Sequence, residues 1–243
     1  CVVAALALLF IRSHPTEADL RAGGEVGDEG DPELAPGAAP DWPTGRLVAE
    51  RNFWLIATGA GLLLASDGAI LISKIPYLVD IGIDLQAASF LVACQSASAI
   101  AGKLGVGFAA ERFDLRRLFA IVATAHLVLL AALIAKPGFW TLLVVLSCVG
   151  VAVGGVHPIF STLIAHTFGS RSYGAVHGRM NLVTQPMMLA AIYFIGVVYD
   201  RSGVYDVAFW AFGALVFVAT LLIGSVRWPD EEIAGEAALR PAA

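Results

Sequence analysis

The sequence predicts an all-α integral membrane protein with six transmembrane helices. Three observations carry that expectation. Of 243 residues, 58% are hydrophobic and only 14% are charged, and mean hydropathy is +0.78, whereas soluble domains average about a quarter charged. The apolar residues fall in six runs, each long enough to cross a hydrocarbon core, which takes about 20 helical residues. The basic residues lie almost entirely at one end of those runs. Membrane β-strands would be about ten residues long with alternating polarity, a pattern the runs do not show. Buried helices of a soluble core would rarely be apolar all round six times in succession.

Residues 1–11 form an apolar stretch too short to span, without an initiating Met or a basic leader. It is expected to be the end of a truncated transmembrane helix. Residues 12–51 hold Pro15, Pro32, Pro36, Pro40 and Pro43, several glycines and many acids. That composition cannot bury a core and predicts a disordered cytoplasmic linker. A bundle over 52–228 follows, with spans expected at Phe53–Val79, Leu85–Ala110, Leu118–Ala135, Phe139–Phe168, Leu182–Val198 (starting about a turn earlier) and Val207–Val226. Residues 229–243 make a cytoplasmic tail.

Orientation follows from the basic residues. Arg12, Arg21, Arg46 and Arg51, then Arg112, Arg116 and Arg117, then Arg171 and Arg179, then Arg227 and Arg240 share one side. Lys136 and Arg201 occupy the other. Linker, even-numbered loops and tail are therefore expected in the cytoplasm, in a plasma (inner) membrane. Trp54 and Trp228 mark the inner interface; Trp140, Tyr199 and Tyr205 mark the outer one. Net charge is −5 with no basic stripe, which excludes a nucleic-acid footprint. Cys1, Cys94 and Cys148 have no metal-ligand or redox spacing and read as small apolar residues. No phosphate-binding Gly-x-x-x-x-Gly-Lys loop, nucleophile triad or metal motif occurs, so neither an enzyme nor a cofactor is expected.

The loop between the second and third spans carries Gly107, Glu111, Arg112, Asp114, Leu115, Arg116 and Arg117. It resembles the cytoplasmic loop of the major facilitator superfamily, Gly-x-x-x-Asp-Arg-x-Gly-basic-basic. Glu111 stands for the usual Asp, Asp114 for the Gly, and Leu115 for the first basic residue. Gly107 would allow close helix approach, and the acid and arginines a charge cluster that moves with the conformational change. Phe168, Gly169, Gly174 and Gly178 resemble a later loop of the monocarboxylate and oxalate/formate branch. So do the turn Tyr199-Asp200 to Gly203 and Tyr205, and Pro76-Tyr77-Leu78 with Asp80 and Gly82. The resemblance covers about Phe53 to Trp228. It implies the C-terminal six-helix bundle of a twelve-helix fold, with alternating access against an N-terminal six-helix half as partner.

Ionisable groups inside spans are costly unless they face a cavity or a partner. Asp67 lies mid-span and must face the bundle interior, as a proton-coupling or substrate-facing carboxylate or as a structural acid. Lys103, about two turns from the cytoplasmic end, either snorkels or serves the site: it stands where the resembling branch has an arginine implicated in binding substrate carboxylate, and a lysine keeps the charge and loses the bidentate fork. Lys74, seven residues after Asp67, shares its helical face and either joins the site or snorkels outward. Gln95, Ser96 and Ser98 match the depth of Asp67. His157-Pro158 breaks the fourth span, as a hinge or a packed kink. Asn181 and Gln185 share a face of the fifth span beside Pro186, lining the cavity or bonding between helices. Gly150 and Gly154 read as a close-packing face. The expected function is secondary transport of a small solute across the lipid bilayer, an organic anion with Asp67 taking the proton and Lys103 and Lys74 attracting the anion. A multidrug or cation exporter of the same superfamily is the alternative. A non-transporting sensor or membrane enzyme is the rival of another class.

Overall fold

The computed structural model describes residues 42, 44–110, 113–169 and 172–226. The short apolar stretch 1–11, most of the linker, Glu111, Arg112, Arg171, Trp228 and the tail 229–243 lie outside the described residues. Within them the elements are α1 (Thr44–Ala49), α2 (Arg51–Asp80), α3 (Leu85–Ala110), α4 (Leu115–Ala135), α5 (Phe139–Gly154), α6 (Val156–Phe168), α7 (Tyr173–Ser202) and α8 (Asp206–Gly224). Six candidate spans result, with α5 and α6 together forming one of them.

The connections between spans are short and chemically specified. Gly82 takes a positive φ of 88° after α2, where its missing Cβ removes the usual penalty. Asp84 then accepts from the backbone N–H of Gln86 at 3.0 Å, capping the start of α3. Asp114 caps α4 in the same way, accepting from Arg116 N at 2.7 Å and Arg117 N at 3.4 Å. The departure from the family's loop pattern at 114 thus has a local role. Gly203, φ 69°, closes α7.

Three boundaries differ from the sequence expectation. The end of the expected linker is helical: α1 buries Leu47 completely, and its Thr44 hydroxyl accepts from Arg179 at 2.7 Å. Trp42 meets Phe168 edge-on at 5.2 Å, so apolar anchoring outweighs the polar composition around it. The fifth span begins at Tyr173 rather than about a turn before Leu182, because polar residues such as His177 and Arg179 continue the helix and bond within it, Arg179 to the Ala175 carbonyl at 3.1 Å. The break in the fourth span falls at Gly155, not at Pro158. Pro158 is the third residue of α6, in the first turn, where the N–H it lacks has no helical acceptor to meet.

Helix α2 is the hub, packing on α7, α8 and α3, while α3 packs on α5 and α8 on α4. Gly150 lets α5 approach α3 so closely that a Cβ there would sit 2.6 Å from the Gln95 carbonyl oxygen. Added Cβ atoms at Gly154 and Gly102 would collide with the backbone of Ala99 and Val151, so the expected small-residue crossing is present. Gly107 is different. A Cβ there meets nothing within 4 Å among the described residues.

The core divides along the bundle axis. One apolar cluster, at the end near α1, gathers Phe53, Ile56, Leu63, Phe119, Val122, Phe160 and Val216. The other, at the far end, gathers Ile70, Tyr77, Leu129, Leu133, Leu146 and Phe212. Buried polar side chains sit between them: Ser66, Gln95, His126 and Thr184. The most hydrophobic windows of α3 and α7 are only 17% buried, against 61% for α2, so these two helices are the exposed flanks of the hub.

Candidate functional site

The site follows from helical repeats. Asp67, Leu71 and Lys74 recur at i, i+4 and i+7 on α2, and Ser96, Ala99 and Lys103 at i, i+3 and i+7 on α3. Each set therefore lies on one helix face. These faces, with Val153, Gly154 and His157 from the α5–α6 junction, line a cavity of about 230 Å³ that also includes Gln95. Several sequence-selected residues thus meet in one place, among them Asp67, Lys74, Gln95, Lys103 and His157. Ser96 lines the cavity too, whereas Ser98 bonds back to the Cys94 carbonyl at 3.0 Å.

Lys74 does not snorkel. It is 3% exposed, and its Nζ donates to Gln95 Oε1 at 2.6 Å. The geometry explains the choice. Cα–Cβ bonds lean toward a helix N-terminus, so Lys74 on α2 is aimed back toward mid-membrane, where the antiparallel α3 presents the Gln95 amide. Asp67 is half-buried and is the acidic group that acts on Lys74 through space. Lys103 is exposed on the cavity wall. Two lysines against one carboxylate leave one formal positive charge in excess among the cavity-lining residues of α2 and α3.

Other expected residues fall elsewhere. Asn181 and Gln185 on α7 are not among the cavity-lining residues; Asn181 Oδ1 accepts from Thr184 on the same helix at 3.4 Å, and Gln185 is exposed. In the first turn of α4, Arg116 Nη2 donates to the Val226 carbonyl at 2.5 Å, tying that turn to the segment after α8. Arg117 is exposed.

A second recess of about 260 Å³ at the far end is lined by Tyr77, Asp80, Lys136, Tyr199, Tyr205 and Asp206, among others. Lys136 pairs with Asp206 at 2.8 Å, and Tyr199 stacks on Tyr205 with centroids 4.4 Å apart. Burial, then the carboxylates of Asp80 and Asp200, push the Tyr205 hydroxyl pKa above its ordinary value. Sequence reasoning missed His126, which is fully buried on α4. Its signal was present, since it is the single titratable residue inside an otherwise apolar run, the same argument that selected Asp67.

The sequence profile of the Major Facilitator Superfamily matches residues 55–242. The chain belongs to the Major Facilitator Superfamily. Among curated relatives, the D-xylose transporter of Levilactobacillus brevis is 26% identical over 189 residues, 76% of this chain and 40% of that protein. Monocarboxylate transporter 7 of Homo sapiens is 26% identical over 157 residues, 63% of this chain and 30% of that protein. The chain thus spans less than half the length of the curated relatives it matches. Superfamily membership and the six apolar helices make it an integral, multi-pass membrane protein.

Proposed function

We propose that this bundle is one wall of a secondary transporter that moves a small organic anion, such as a monocarboxylate, by alternating access with a proton. The observation that carries the reading is the mid-membrane cavity holding Asp67, Lys74, Gln95 and Lys103. Its excess positive charge suits an anion. Neutralising Asp67 with a proton would raise that excess and favour the anion further. The relatives' names, a monocarboxylate transporter and a D-xylose transporter, support a small polar solute. A sugar is the second reading, favoured by the first relative and by the Gln95 amide, a good hydroxyl partner.

The exposed flanks α3 and α7 support a second six-helix bundle as partner, because Lys103, His157 and Gln185 would otherwise meet lipid. With that bundle in place, Asn181 and Gln185 would reach a solute only where the cavity extends past α2 toward α7. His157 and Pro158, beside the Gly155 interruption, would flex as the cavity opens, with Gly107, Arg116 and Arg117 moving at the loop. The linker end would face the cytoplasm in a plasma membrane, as the basic residues direct.

The test is uptake of L-lactate and D-xylose into proteoliposomes holding the full-length protein, with and without an inward proton gradient. Proton-stimulated lactate uptake is expected. Asp67→Asn should abolish the stimulation, and Lys103→Ala should raise the lactate KM by about tenfold, about 1.4 kcal/mol. Stimulation that survives Asp67→Asn would refute the proton role, and an unchanged KM the anion role. Xylose uptake without lactate uptake would select the sugar reading.

A further inference from the structure

The apolar core is interrupted at mid-membrane by a residue the cavity does not use. His126 is at the middle of α4, fully buried, and neither ring nitrogen has a hydrogen-bond partner among the described residues. Ser66, fully buried at the middle of α2, likewise has an unpartnered hydroxyl. A buried imidazole without a partner is costly and calls for an explanation beyond packing.

The register of α2 against α4 places these groups. Tyr77 on α2 donates its hydroxyl to the Leu133 carbonyl on α4. The two helices run in the same direction, so two turns back from that bond lie Ile70 on α2 and His126 on α4. One further turn along α2 are Ser66 and Asp67. Two charged groups bear on the imidazole through space: Asp67 would attract an imidazolium, and the Lys74 ammonium would repel it. The helices packed on α4 are α8, α5, α6 and α3, and they supply none that acts on it: α8 carries Asp206, paired at the far end with Lys136, and α5 carries only the exposed Cys148. On α6, His157 and His166 are exposed; on α3 the titratable residues are Cys94 and Lys103.

We propose that His126 is a second proton-holding residue, sharing the coupling proton with Asp67 across the polar layer at mid-membrane. This rests on the reading of Asp67 as the proton-accepting carboxylate. An imidazolium buried at this position has a counter-ion only while Asp67 is ionised. One proton therefore serves the pair. When it leaves His126, an imidazole N–H bond breaks and a carboxyl O–H bond forms on Asp67; the return step reverses both, and net charge is unchanged. The transfer runs through the Ser66 hydroxyl or an intervening water, since His126 itself does not line the cavity. The arrangement gives the proton a buried resting place outside the cavity when it is not on Asp67.

The test reads protonation directly. The chain has five histidines. A full-length variant lacking His14, His157, His166 and His177 keeps His126 as the single imidazole of this chain, and ¹⁵N NMR in lipid nanodiscs follows its ring nitrogens from pH 4 to 9. The expected result is passage between the neutral and imidazolium signatures in that range, with a midpoint displaced by about one pH unit or more on Asp67→Asn. A ring that stays neutral throughout, or a midpoint indifferent to Asp67→Asn, overturns the proposal. If the quadruple variant does not fold, the difference between native protein and His126→Gln gives the same signal. The readout is a protonation equilibrium, so failure of lactate and xylose to cross would refute the proposed function and leave this result standing.

Discussion

The Lys74–Gln95 contact makes the most quantitative claim of the site. Both side chains are buried, 3% and 6% exposed, and the Nζ–Oε1 distance is 2.6 Å. A hydrogen bond to a charged group contributes about 1.5–3 kcal/mol in soluble proteins. Within membranes, interhelical bonds average about 0.6 kcal/mol and reach about 1.7, because separated helices find other partners. Gln95→Leu leaves the ammonium buried without its acceptor and should cost about 2 kcal/mol. Lys74→Met removes the charge along with its desolvation cost and should cost about 1 kcal/mol or less. Once Lys74 is Met, the further change at Gln95 should be nearly silent, a coupling of about 1–2 kcal/mol. In a chain of this size each kcal/mol moves the melting temperature by about 2–4 °C, so Gln95→Leu should lower the apparent Tm by about 4–8 °C in detergent. The double-mutant cycle, measured by thermal unfolding of the four proteins, is the assay. Additive effects within about 0.3 kcal/mol, or Lys74→Met more damaging than Gln95→Leu, would refute the inward orientation of Lys74 and restore the snorkelling one.

Three further outcomes follow from the packing. Gly154→Leu drives a side chain into the Ala99 backbone on α3 and should cost about 3 kcal/mol or more, read as loss of the monodisperse peak in size-exclusion chromatography. Pro158→Ala should change the melting temperature by less than a degree or two, about 0.5 kcal/mol, because a first-turn position needs no donor; a large loss would show that the break depends on the proline after all. Tyr205 has a folded pKa raised by burial and by the Asp80 and Asp200 carboxylates. The unfolded tyrosine ionises first, near about 10, so the stability this group contributes is complete below that pH and is lost as pH climbs through the higher folded value. Tyr205→Phe should flatten that part of the alkaline melting curve.

Spans and most of the cavity were legible in the sequence for one reason: both depend on residues whose placement in lipid has few solutions. A carboxylate at the centre of α2 has nowhere to go but inward, and a glycine pair four apart on α5 marks a helix crossing before any partner is known. What was not legible depends on choices between partners. Lys74 has a side chain long enough for either the interface or Gln95, and only the antiparallel placement of α3 decides between them. The break at Gly155 was assigned to Pro158 because proline is the stronger breaker in isolation; helix phase, invisible in the sequence, puts the proline in a turn that tolerates it. Asn181 and Gln185 have the polarity of site residues, but their helix face is set by the packing of α7 on α2 through Gly61 and Gly68.

The charge order along the cavity explains how one carboxylate could govern an anion in the proposed cycle. Lys103 lies toward the end near α1, since α3 runs back from the far end, while Lys74 lies toward the far end and is held by Gln95. Asp67 stands between them on the hub helix. An anion drawn to either lysine is therefore never far from Asp67. Two unit charges 4 Å apart interact by about 4 kcal/mol at an effective dielectric of 20, and by about half that at twice the distance. For an anion about 8 Å from Asp67, removing that charge would relieve a repulsion of about 2 kcal/mol, roughly thirtyfold in affinity. Linkage makes the effect reciprocal: a bound anion favours proton uptake at Asp67 by the same factor. The coupling resides in the distance between groups on α2 and α3, which the Lys74–Gln95 bond already ties together.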